Sequence, residues 1–227
     1  MPTNCKEGQT EAAVELISSG LQTARSTGWA RIRSEFAPES IAAAVRRIGQ
    51  PLRSRDRTVG VEQLMPRHEH EARTPSLSAQ HGMGVFPFHS DAAHWISPPR
   101  WVIMWCEADQ TRRATNLRYW APIVERMSER TTATFLVRNG RRSFFVDVRD
   151  EARFDGGCML PQNRAARTMA ELSVSAKEED VIPIVWEAGT VLLLDNRRML
   201  HARSTCLSSD GDHKRTLWRA LLEEVSI

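Results

Sequence analysis

The feature that most constrains this chain is a set of ligand-type residues split between two distant stretches. Phe86-Pro87-Phe88-His89-Ser90-Asp91 places an imidazole and a carboxylate two positions apart in an apolar setting. In an extended segment, residues i and i+2 point to the same side. His89 and Asp91, at the end of a strand expected over 83–89, can therefore grip one ion together. The complement lies about a hundred residues on, where Gly189 and the apolar run behind it lead through Asp195 to His201. A fold that uses all three residues must bring distant strands to one point.

Two neutral imidazoles and one carboxylate on one face of an ion form the facial triad of non-haem Fe(II) oxygenases, which leaves the opposite face open for co-substrate and dioxygen. Zinc hydrolases instead use three ligands and one activated water, and composition does not separate the two. A rival arrangement exists, because on a helix Asp91 and His94 share a face, giving a compact His89/Asp91/His94 triplet without His201. His68 and His70 stand among glutamates in a polar, proline-broken stretch and read as a surface loop. Past His201, Arg215 follows by 14 positions and Arg219 by four more. On a strand both face the same way. A guanidinium fork suits a buried carboxylate and keeps its charge on burial, so two forks can hold two anionic groups.

At these residues the sequence resembles the taurine dioxygenase/clavaminate synthase group of Fe(II)- and 2-oxoglutarate-dependent oxygenases. The resemblance rests on His89-Ser90-Asp91, on Thr115, on Asp195 through His201 to Arg203, and on Arg215 with Arg219 behind it. It spans roughly residues 48–227, and the His201-to-Arg215 interval is closer to the clavaminate synthase branch. The resemblance implies that His89, Asp91 and His201 hold Fe(II), and that Thr115 and Arg215 grip the distal carboxylate of 2-oxoglutarate. O2 is the second co-substrate. Arg219, Trp95 and Arg203 are the candidate substrate contacts. Hydroxylation of an unactivated carbon is the default outcome, with desaturation or ring closure as variants. If Arg215 holds the co-substrate, Arg219 is left as a buried charge in need of a partner. That points to a small anionic metabolite, by analogy an amino-acid derivative in secondary metabolism; the alternative is that Asp195, Glu223 or another acid of the chain pairs with Arg219.

The rest of the chain agrees with such a fold. Apolar positions Ala13, Val14, Ile17 and Leu21 recur at helical spacing after Thr10, predicting a helix over 10–25. A strand over 29–34 and a helix over 38–48 follow. The continuous apolar run Trp101–Cys106 reads as a strand buried on both sides. Residues 118–130 read as a helix perturbed by Pro122, and Asn139-Gly140 marks a hairpin between 133–138 and 143–148. Residues 154–180 form a long excursion of lid or binding-loop character. Many short strands with helices gathered near the N-terminus predict a mainly β, double-sheet jelly roll; the family's version is the cupin-like double-stranded β-helix. With 227 residues, one domain is expected: N-terminal support over 1–50 and a jelly-roll core over 83–223.

Composition removes other classes. The 31 basic residues, of which only Lys6, Lys177 and Lys214 are lysines, are scattered rather than clustered, and the net charge is only +3. Nucleic-acid binding is therefore disfavoured. No apolar run approaches a membrane span. Cys5, Cys106, Cys158 and Cys206 form no Cys-x-x-Cys pair, and a polar N-terminus shows no signal peptide, so a cytoplasmic protein with reduced thiols is expected. The partner is a small-molecule substrate; oligomeric state is not legible. Two alternatives remain: an oxygenase that demodifies a macromolecule, and a jelly-roll metal protein without redox chemistry, in which Arg215 has no role.

Overall fold

A computed structural model describes residues 3–53, 60–64, 68–71, 77–107, 114–127, 132–204 and 217–226. Two antiparallel sheets face each other. The larger is built from β1 (Trp29–Arg33), β2 (Val61–Leu64), β4 (Trp101–Cys106), β10 (Thr190–Asp195) and β12 (Leu217–Leu222), in the order β1-β10-β4-β12-β2. The smaller contains β3 (Phe86–His89), β5 (Thr115–Tyr119), β9 (Ile182–Ile184) and β11 (Met199–Arg203), in the order β3-β11-β5-β9. Neighbouring strands come from remote parts of the chain, the crossed connectivity of the expected jelly roll.

The period-2 alternation of strands decides what each residue meets. In β4, Val102, Met104 and Cys106 enter the core between the two sheets, together with Leu117 of β5, Leu192 of β10 and Met199 of β11. Trp101, Ile103 and Trp105 face the other way, onto α1 (Thr3–Thr27) and α2 (Pro38–Ile48), and pack with Ile17, Leu21, Ile41 and Val45. This strand is apolar throughout because both of its faces are covered. Helix α1 runs beyond the expected 10–25 because helix formers such as Glu7 and Gln9 extend it past the apolar stripe. The N-terminal helices thus back the larger sheet, as expected, and the short α3 (Leu77–His81) precedes β3.

A third sheet, ordered β7-β6-β8, joins β6 (Ala133–Asn139) and β7 (Arg142–Val148), paired through the predicted Asn-Gly hairpin, to β8 (Met159–Pro161). Gly140 sits at φ 61°, the left-handed conformation such a tight hairpin turn requires. The excursion over 154–180 contributes β8 and α5 (Arg164–Val174), whose N-cap Asn163 accepts the Ala166 N–H at 2.8 Å. Ala166 and Met169 of α5 share a core with Phe88 of β3, so this segment supports the back of the strand that ends in His89.

The helix expected over 118–130 is replaced by strand β5 and the short helix α4 (Ala121–Glu125). Two tertiary interactions override the local pattern. Pairing with β11 and β9 satisfies the backbone of β5, and the buried Arg118 guanidinium donates to the carbonyls of Leu172 and Ser173 and pairs with Asp180. Pro122 lies in the first turn of α4, where a missing N–H costs nothing.

Candidate metal centre

Strand register builds the site. His201 of β11 lies directly opposite His89 of β3, and their ring centroids are 4.3 Å apart. Met199 enters the inter-sheet core, whereas Leu200 and Ala202 face outward; by parity His201 points between the sheets. The same argument turns His89 away from Phe88, Thr115 along the direction of Leu117, and Arg219 along that of Leu217 and Leu221. Asp91 lies just past the end of β3, with Oδ2 3.7 Å from His201 Nε2. Ligand atoms of His89, Asp91 and His201 all lie within 4.8 Å of one another, and all three residues are buried.

The donor chemistry fits a divalent first-row cation such as Fe(II). Nδ1 of His89 lies 2.9 Å from the Pro87 carbonyl, which assigns the proton to that nitrogen and leaves the Nε2 lone pair for a metal. Burial pushes the pKa of His201 down to about 3, with the neighbouring His89 adding to the effect and Asp91 opposing it. The imidazole is therefore neutral at physiological pH. Its Nδ1 is buried without a hydrogen-bond partner among the described residues, while its Nε2 faces Asp91 Oδ2.

Arg219 differs from the sequence expectation of a guanidinium awaiting an anion. Its Nη1 donates to Asp91 Oδ1, and its Nη2 donates to Glu62 Oε2 at 2.6 Å. Burial by itself would lower the arginine pKa, but the two carboxylates outweigh it and hold the pKa above the ordinary value. Glu62, directly opposite Arg219 in the β2–β12 register, is the residue that sequence reasoning missed. The available signal was an acid on the same strand face as Leu64, a position a lone carboxylate does not occupy without a partner.

The other expected site residues fall in three groups. Thr115 is buried, and its Oγ1 accepts the Trp186 indole N–H at 2.9 Å; a hydroxyl used as acceptor still has its own proton to donate. Arg203 is directed to the loop before β3, donating to the carbonyls of Gly82 and Gly84 while its guanidinium lies 5.0 Å over the Phe86 ring. Trp95 packs partly against the inter-sheet core, and its carbonyl accepts from Arg153. Arg215 lies outside the described residues. His94 is not in the cluster and instead meets Trp95 edge-on, while His68 and His70 stack on each other in an exposed turn.

A facing pair of antiparallel sheets with a buried two-histidine, one-carboxylate cluster between them is the arrangement of the non-haem Fe(II) oxygenases. The chain belongs to the taurine catabolism dioxygenase TauD, TfdA family, whose sequence profile matches residues 108–221. Solved structures share the fold. Asparagine oxygenase in complex with Fe(II), 3-hydroxyasparagine and succinate superposes with a TM-score of 0.63 at 14% identity, covering 96% of this chain and 83% of that one. The non-haem iron oxygenase OrfP with Fe and alpha-ketoglutaric acid gives 0.62 at 13% identity, covering 98% and 80%. OrfP with Fe, succinate and (3S)-hydroxy-L-Arg gives 0.56 at 16%, again covering 98% and 80%. No curated protein sequence matches.

Proposed function

We propose that this protein hydroxylates a small amino acid or amino-acid derivative, with His89, Asp91 and His201 as the Fe(II) ligands. The observation that carries the reading is that cluster, buried between the two sheets. Family membership supports the dioxygenase chemistry, and structural relatives solved with hydroxylated asparagine and arginine motivate the substrate class. A cytoplasmic role in biosynthesis and a single catalytic domain complete the proposal; no helix among the described residues is long and apolar enough to cross a membrane.

With 2-oxoglutarate and O2, the bound iron supplies the oxidant for C–H hydroxylation. The chain's own residues prepare the place. The hydrogen bond to the Pro87 carbonyl fixes the His89 tautomer, burial keeps His201 neutral, and Arg219 holds one Asp91 oxygen while the other faces His201. Thr115, with Arg215, is assigned to the distal carboxylate of 2-oxoglutarate, the threonine as hydroxyl donor. Trp95, Arg203 and Arg219 remain the substrate contacts. Two carboxylates already balance the Arg219 charge, so neutralisation alone does not demand an anionic substrate. Its Nε, however, is buried with no acceptor among the described residues, and a substrate carboxylate can supply one.

The test is succinate formation from 2-oxoglutarate over a panel of amino acids, their neutral amides and other small acids, with the His201→Ala variant as control. Substrate-dependent succinate, hydroxylated product and loss of both in the variant are expected. Turnover confined to neutral molecules, or activity that survives His201→Ala, would overturn the reading.

A further inference from the structure

The loop that carries Asp91 is fastened by Arg153, which donates to the carbonyls of Ala93, Trp95 and Ile96, and at Asp91 itself by a second side chain that ligand chemistry alone does not require. Asn196 lies in the turn between β10 and β11, five residues before His201, and is 2% exposed. Its Oδ1 accepts the Asp91 backbone N–H at 2.8 Å, while its Nδ2 donates to the carbonyls of Asp91 at 3.0 Å and Pro99 at 2.9 Å. Its own backbone N–H donates to the Arg100 carbonyl at 2.7 Å. Both amide hydrogens are therefore used, and both backbone groups of Asp91 are held by one side chain. The next residue, Ala92, has φ 54° and is the only non-glycine among the described residues with positive φ. That conformation is unfavourable for alanine and persists where the surroundings enforce it.

We propose that Asn196 is a positioning residue for the metal centre. By locking the Asp91 backbone it aims the carboxylate, and because it sits on the turn that leads into β11 it fixes the spacing between that carboxylate and His201. The inference rests on the reading of His89, Asp91 and His201 as metal ligands. A buried amide with three good hydrogen bonds also stabilises the fold, so the test must separate aim from stability. Asn163 is a suitable control, since its amide makes a similar two-way clamp, accepting from Ala166 and donating to the Thr132 carbonyl at 2.9 Å, away from the cluster.

Metal-free wild type, Asn196→Ala and Asn163→Ala are titrated with Co(II) as an optical probe of the Fe(II) site, and their stabilities are measured by denaturant. Asn196→Ala is expected to raise the Co(II) Kd about ten- to a hundredfold, the range for lost outer-shell partners, and to shift the visible band. Asn163→Ala is expected to lose stability with a Kd within about twofold of wild type and an unchanged band. Wild-type-like Co(II) binding by Asn196→Ala, or an equal loss in Asn163→Ala, overturns the positioning role. Wild type that binds no Co(II) overturns the metal-centre reading instead, and this role with it. If Asn196→Ala does not fold, amide exchange in wild type decides: protection of the Asp91 N–H and the Asn196 side-chain N–H comparable to β4 is expected, and exchange at the rate of an exposed loop refutes the clamp.

Discussion

At the scale of single residues, Glu62 and Arg219 show how the chain balances the charges around the centre. The Arg219 side chain is 10% exposed and Glu62 14%, so neither charge has water as its main partner. Removing one member of such a pair strands the other, which typically costs about 3–5 kcal/mol. Glu62→Gln is expected to destabilise the metal-free protein by that order, less whatever Asp91 retains of the pairing, as read from denaturant unfolding. A change below about 1 kcal/mol would show that Asp91 alone suffices for Arg219. His201 gives a pH dependence of defined sign. Its folded pKa is about 3 against an ordinary 6.5. Above pH 6.5 both states are neutral and the residue contributes no slope. Between 6.5 and 3 the unfolded chain takes up a proton that the folded chain refuses, so stability falls as pH falls. Denaturant midpoints of the metal-free protein should decline over that window, and less steeply in His201→Asn. Equal slopes in the two proteins would show that the buried imidazole does not cause the decline.

At the scale of elements, the legible parts were those whose pattern had one physical cause. Trp101–Cys106 is apolar at every position and is buried on both faces; Pro38–Ile48 carries a clean helical stripe and ends where expected. The helix expected over 118–130 failed at its start because the fate of the strand Thr115–Tyr119 is set by non-local partners, β11 on one side and β9 on the other. The excursion over 154–180 looked irregular because β8 is only three residues long, too short to show alternation. The turn at Gly189 can be tested. Its φ is 76°, and a Cβ there would lie 2.1 Å from the Ser34 carbonyl oxygen, in a turn where Ser34 N–H also donates to the Gly189 carbonyl at 2.7 Å. Gly189→Ala must displace backbone as well as bear the left-handed penalty of roughly 1–2 kcal/mol. A thermal midpoint well below wild type is expected, and an unchanged midpoint would mean that the β1–β10 junction can shift freely.

At the scale of the whole molecule, the ligands themselves were legible, but the reason they meet was not. His89-Ser90-Asp91 and His201 could be marked from residue type and spacing, whereas the β3–β11 register that sets the two imidazoles opposite each other depends on the packing of both sheets. Glu62 escaped notice because its partner lies 157 positions away. Three apolar clusters, one between the main sheets, one under the N-terminal helices and one around α5, include none of His89, Asp91 and His201. Asp91 is in addition paired with Arg219, a partner supplied by the chain itself. The metal-free protein should therefore be folded and unfold cooperatively, with metal adding only the stabilisation that mass action allows. At free Fe(II) or Co(II) a hundredfold above its Kd, that increment is about 2.7 kcal/mol, provided the unfolded chain does not bind the ion. Denaturant unfolding with and without metal measures it directly, and Asp91→Ala, which removes a ligand, should show little of the gain at the same metal concentration. Metal-free protein that lacked a cooperative transition would mean that the cation is part of the fold rather than a guest in it.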